Sequence, residues 1–155
     1  MKKIKLLIIT FIFISCSQKD EIIEGDLAFK SVNSFNYYNL NQKTIDTWER
    51  VLDSTRQIKN PSANDISVLN YFDDLKKYKV IKSPWIKLKT KKSIINVYLK
   101  LNDYEKVKNY NSNDLILNNR KVILKMNIET RGDKIYYCKE LISVKEVDGK
   151  TYTSK

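Results

Sequence analysis

Residues 121–130, KVILKMNIET, put Val122, Leu124, Met126 and Ile128 on one side of an extended chain and Lys121, Lys125, Asn127 and Glu129 on the other. Side chains alternate across a strand, so a period of two marks one buried and one wet face. Such a strand cannot stand alone. Its apolar face needs a second layer, and its backbone N–H and C=O groups need neighbouring strands. The rest of the chain must supply them.

From Pro84 onward it does. The spacing predicts strands over Trp85–Thr90 and Ser93–Leu101, joined by a tight turn at Lys91-Lys92, with Ile95, Val97, Leu99 and Leu101 on one face. Arg131-Gly132-Asp133 reads as a turn into a long strand, Lys134–Val147, whose phase slips near Lys139-Glu140 as a bulge would make it. Asn102 to Glu105 has the form of a capping box and opens a short helix to about Tyr110, with Tyr104 and Val107 inward.

Before Pro84 the period lengthens. Ile45, Trp48, Val51, Leu52 and Ile58 fall on one stripe at spacings of three and four, predicting a helix over Thr44–Ile58 with Thr44 as its cap. Asn60-Pro61 interrupts it. Ser62, with Asp65 three residues on, caps a second helix with Ile66, Leu69, Phe72 and Leu75 inward, ending near Lys76–Tyr78. The two helices read as a hairpin. Asp26–Tyr38 alternates irregularly and is expected to form the first strand, with Glu21–Gly25 as the end of a tether.

The fold class expected is therefore α+β with a mostly antiparallel sheet. With the helical pair set aside, the order β, ββ, α, ββ resembles the five-stranded OB barrel, as an open barrel carrying an inserted helical hairpin. An open antiparallel sheet covered by helices satisfies the same order. At 155 residues the chain holds one ordinary domain.

The N-terminus carries an address. Lys2, Lys3 and Lys5 precede the apolar run Leu6–Ile14, which is too short to cross a bilayer and is followed by Ser15 and Cys16. This is the layout of a secretory signal. Phe13-Ile14-Ser15-Cys16 resembles the lipobox of bacterial lipoproteins, with Phe13 in place of the usual Leu. The resemblance implies acylation of Cys16, which becomes the mature N-terminus. Ser17-Gln18-Lys19-Asp20-Glu21 resembles the lipoprotein export signal of Bacteroidetes, which implies the outer face of the outer membrane. The expected division is a signal at 1–15, an anchored tether at 16–25 and a domain at 26–155.

Net charge is +11, from 29 basic and 18 acidic residues. Losing the signal removes three lysines and leaves 26 basic against the same 18 acidic side chains, or +8. Only four arginines are present, the residue best suited to bidentate phosphate contacts. Nucleic acid is not an expected partner at this address. The expected partners are the membrane, through the N-terminal lipid, and an envelope protein or polysaccharide.

The chain has no histidine, which removes Ser-His-Asp and Cys-His catalysis and HExxH zinc sites. Its three glycines are isolated, so there is no phosphate loop, and two cysteines cannot build a metal cluster. No catalytic residue, metal or cofactor is expected. With Cys16 acylated, Cys138 has no partner in the chain and reads as a buried small hydrophobe. Asp73-Asp74 reads as a solvated helix end, and Asn109–Asn119 as a polar loop. Asp53-Ser54-Thr55 resembles the acceptor motif of Bacteroidetes O-glycosylation. The remaining handle is aromatic. Trp85 and Tyr98 lie off the main apolar phase and are the candidates for stacking on a ligand, against the alternative that a second layer covers them.

The function these readings suggest is a membrane-anchored, non-catalytic binding or envelope-interaction lipoprotein. A periplasm-facing structural or assembly lipoprotein is the alternative, and a small carboxylate-based hydrolase a more distant one.

Overall fold

The computed structural model describes residues 20–28, 36–110, 120–132 and 134–148. Five strands and three helices follow in the order β1 (Asp20–Ala28), α1 (Gln42–Arg56), α2 (Ala63–Lys77), β2 (Trp85–Lys89), β3 (Ile94–Tyr98), α3 (Leu101–Glu105), β4 (Arg120–Arg131) and β5 (Ile135–Asp148). The strands close into a barrel in the order β1-β2-β3-β5-β4, with β4 back against β1. All pairings are antiparallel except β3 with β5, which meet over Val97↔Tyr136 and Tyr98↔Tyr137. This is an OB-like barrel with inserted helices, and it is closed rather than open.

The alternating face of β4 fills the barrel. Val122, Leu124, Met126 and Ile128 pack with Ile86, Leu88, Val97, Leu99, Val107 and Cys138, all buried. Each such side chain contributes about 1.5–3 kcal/mol when fully removed from water. Register shifts beside Met126 and Ile128 leave extra residues on β5, so the phase slip expected near Lys139-Glu140 is a pair of bulges.

The first strand lies earlier than its alternation suggests. It spans Asp20–Ala28, so the stretch 21–25 expected as tether is barrel wall, paired to β4 from Asp20↔Glu129 to Asp26↔Ile123. Ile23 and Leu27 pack toward the core and Gly25 is buried. Gly25 sits where β1 begins to pair with β2 as well. A Cβ there would lie 2.6 Å from the Lys89 carbonyl oxygen, so the seam needs glycine. Of the expected first strand, residues 29–35 lie outside the described residues, and Tyr37–Asn39 turn.

The helices differ from expectation in detail. The side chain of Asn41, three residues before the expected cap, accepts from the Thr44 amide and caps α1. Ser62 and Asp65 form the full capping box on α2. α3 starts at Leu101, without a side-chain cap, so Asn102 lies inside it and Leu101 is exposed instead of continuing β3. On α1 only Ile45 and Leu52 are buried, and Val51 faces solvent, because α1 packs chiefly on α2 and Tyr37; the helix ends at Arg56, so Ile58 lies beyond it, exposed. Ile66 on α2 is exposed as well. Arg56 bridges to Asp73 at 2.5 Å and Lys76 to Glu49 at 2.5 Å, tying the two helices together.

Candidate functional site

In an OB barrel the outer face of strands two and three, flanked by the loops after strands one and four, is the binding surface. Here that face carries Trp85 directly opposite Tyr98. Both are buried, at 5% and 1% exposure. The covering layer is the chain's own insertion between β1 and β2. Leu75, Val80 and Ile135 complete a buried cluster with them, and Tyr71, Tyr78, Ile81 and Tyr137 pack around it. The Tyr71 and Tyr98 hydroxyls hydrogen-bond at 2.7 Å, and burial pushes both phenols above their ordinary range. The two residues singled out as a stacking platform are therefore held under α2 and are not available to a ligand.

The turn after β4 joins the same closure. Arg131 pairs with the buried Glu129 at 2.6 Å, lies 4.0 Å from the Tyr137 ring centre and donates to the Tyr78 carbonyl oxygen at 3.3 Å. Gly132 adopts φ +64° against the Tyr78 ring. Asn36 donates to the Ser83 carbonyl oxygen at 2.6 Å, and the Tyr37 amide donates to that of Ile81 at 2.7 Å. The insertion is thus fixed to the barrel by an apolar cluster with polar bonds at its edges.

Among the described residues, one end of the barrel carries a cleft. Between the start of β1 and the β2–β3 turn lies a cleft of about 550 Å³. Ile23, Ile95, Ile128 and Tyr136 form its floor, and Glu21, Glu24, Lys91 and Lys92 stand at its edges. A neighbouring cleft of about 330 Å³ continues it along Gly25, Asp26 and Lys89. Acidic residues line the β1 side and lysines the turn side. The turn is locked by Thr90, whose hydroxyl donates to the Ser93 carbonyl oxygen and accepts from the Lys92 and Ser93 amides.

Sequence reasoning missed this mouth because it placed Glu21–Gly25 outside the domain. The signal was there: Ile23, Gly25 and Leu27 alternate with Ile22, Glu24 and Asp26.

Other candidates fall as follows. Asp20 and Glu21 of the export-like tag are the first residues of β1, and Asp20 accepts from Lys139 Nζ at 2.6 Å. Cys16, Ser17, Gln18 and Lys19 lie outside the described residues, as do 111–119 of the expected polar loop. Cys138 is fully buried, and burial pushes its thiol up to about 12. Asp73 pairs with Arg56, which also holds Asp53. The hydroxyls of Ser54 and Thr55 donate to backbone carbonyls one turn earlier in α1. Among the described residues, no group of three or more His, Cys, Asp or Glu side chains is placed to hold a metal ion.

No protein-family model matches the chain, and no match is found among curated proteins or solved structures.

Proposed function

We propose that this chain is a bacterial lipoprotein of the outer membrane, anchored at its surface through acylated Cys16, that serves as a non-catalytic binding or interaction module of the envelope. The observation that carries the reading is the junction itself: three lysines, a short apolar run, Ser15-Cys16 and an abrupt polar switch. Acylation supports anchoring without a spanning helix, because several buried acyl chains together hold a protein that one alone would release. The helix-covered aromatic face argues against stacking on bases or sugars there.

Cys16→Ala tests the anchor. Fatty-acid labelling of the protein should be lost, and persistent labelling refutes the reading. Protease shaving of intact cells tests the surface. Two residues of the export-like tag are built into β1, which favours a periplasm-facing assembly lipoprotein as the second reading. Protein retained after shaving decides for that alternative.

A further inference from the structure

The start of β1 limits how far the domain can stand from its anchor. Asp20 is four residues beyond Cys16, and four fully extended residues span about 14 Å. A domain of about 130 residues has a radius of gyration of about 14 Å, so this reach is too short for its far side to turn toward the anchor. The domain is therefore held within about 14 Å of the membrane, and the part nearest to it is the end from which the chain emerges. In the barrel this end holds the first residues of β1, the β2–β3 turn and the β4–β5 turn, because β1 runs antiparallel to both β2 and β4.

The composition of that end fits such contact. Ile22 and Ile94 are the most exposed large hydrophobic residues described, at 62% and 59%. Ile22 lies near the start of β1, and Ile94 directly follows the β2–β3 turn. Lys91 and Lys92 are exposed on that turn, and Lys134 on the β4–β5 turn. The nearby acids are partly answered: Asp20 is held by Lys139, and Glu24 stands opposite Lys125 in the β1–β4 ladder. Glu21 lines the mouth. Apolar side chains flanked by lysines suit the headgroup layer, where the first enter the acyl boundary and the second meet phosphate.

Resting on the lipid-anchor reading, we propose that this end of the barrel is seated on the membrane that holds Cys16. Ile22 and Ile94 enter its headgroup layer, and Lys91, Lys92 and Lys134 contact its lipid phosphates.

The test uses the full lipidated protein added to preformed vesicles of phosphatidylcholine and phosphatidylglycerol, with lysine acylation read by mass spectrometry. Lys91, Lys92 and Lys134 should react about fivefold more slowly than in detergent, the factor equivalent to one lysine's attraction to an anionic surface. Lys59, beyond α1, and Lys145, in the second half of β5, should be unchanged. An Ile22→Asp, Ile94→Asp double variant, altered only at exposed positions, should still float with the vesicles but lose the protection. Uniform reactivity in the floated protein overturns the proposal. So does protection that persists in detergent and grows with protein concentration, which would assign the face to a second copy. Vesicles of phosphatidylcholine alone read the anchor separately. If the protein fails to float with those, the anchor reading falls. Protection of the same three lysines on anionic vesicles would then still support the seating, and its absence would refute it.

Discussion

At the residue scale, one half-buried and one buried side chain show how position sets chemistry. Glu49 joins α1 to α2 through Lys76 and lies near the Tyr37 hydroxyl. Partial burial raises its carboxyl, but Lys76 and the Tyr37 hydroxyl outweigh that and hold it below its ordinary value of 4.5. The stabilisation it gives is therefore present above about that pH and is lost as pH falls through the lower folded value. Glu49→Gln should cost about 0.5–1 kcal/mol at neutral pH, a modest figure because the pair is partly solvated. Urea titrations at pH 7 and pH 3 should show that deficit shrinking at the acidic end. A deficit equal at both would assign Glu49 a packing role only. Cys138 illustrates the opposite case. With its thiol buried and pushed up to about 12, it should resist iodoacetamide at pH 8 in the native protein and react once urea unfolds it. Rapid native alkylation would show that the barrel opens at that position.

At the scale of elements, the helical insertion and the β2–β3 face make one unit. Trp85 and Tyr98 were legible as off-phase aromatics, but alternation says only that a side chain is on the outer face. It cannot say that another element lies on top. Trp85→Ala should therefore behave as a core truncation, costing about 3–5 kcal/mol in chemical denaturation. Tyr98→Phe, which leaves the Tyr71 hydroxyl without this partner, should cost about 1 kcal/mol. A stability change near zero for Trp85→Ala would mean that α2 does not cover the strand. The helices themselves were readable because caps and spacing are local: the Ser62–Asp65 box is present as its four residues suggest. The stripe on α1 was overread, since Val51 belongs to an apolar arc wider than the surface available to cover it and Ile58 lies beyond the helix.

At the scale of the whole molecule, the first strand decides where the domain begins. A chain cut to start at Asp26 would lose most of the β1–β4 ladder, which runs from Asp20 to Asp26, and leave the edge of β4 unpaired beside the core. It should show no cooperative thermal transition by circular dichroism. A chain starting at Lys19 should melt cooperatively. Equal melting of the two would return Asp20–Gly25 to the tether. That strand starts four residues after Cys16, and the membrane contact proposed above rests on this spacing.

The sequence by itself determined the element types, the order that an OB-like barrel requires and the burial of Cys138. All of these are carried by short-range patterns: alternation, helical spacing and capping residues. Tertiary structure alone decided that the barrel closes, that β1 reaches back to Asp20, and that α2 covers Trp85 and Tyr98. Those outcomes depend on pairings and contacts between segments far apart in the chain. The free energy that selects among them arises only when the segments meet.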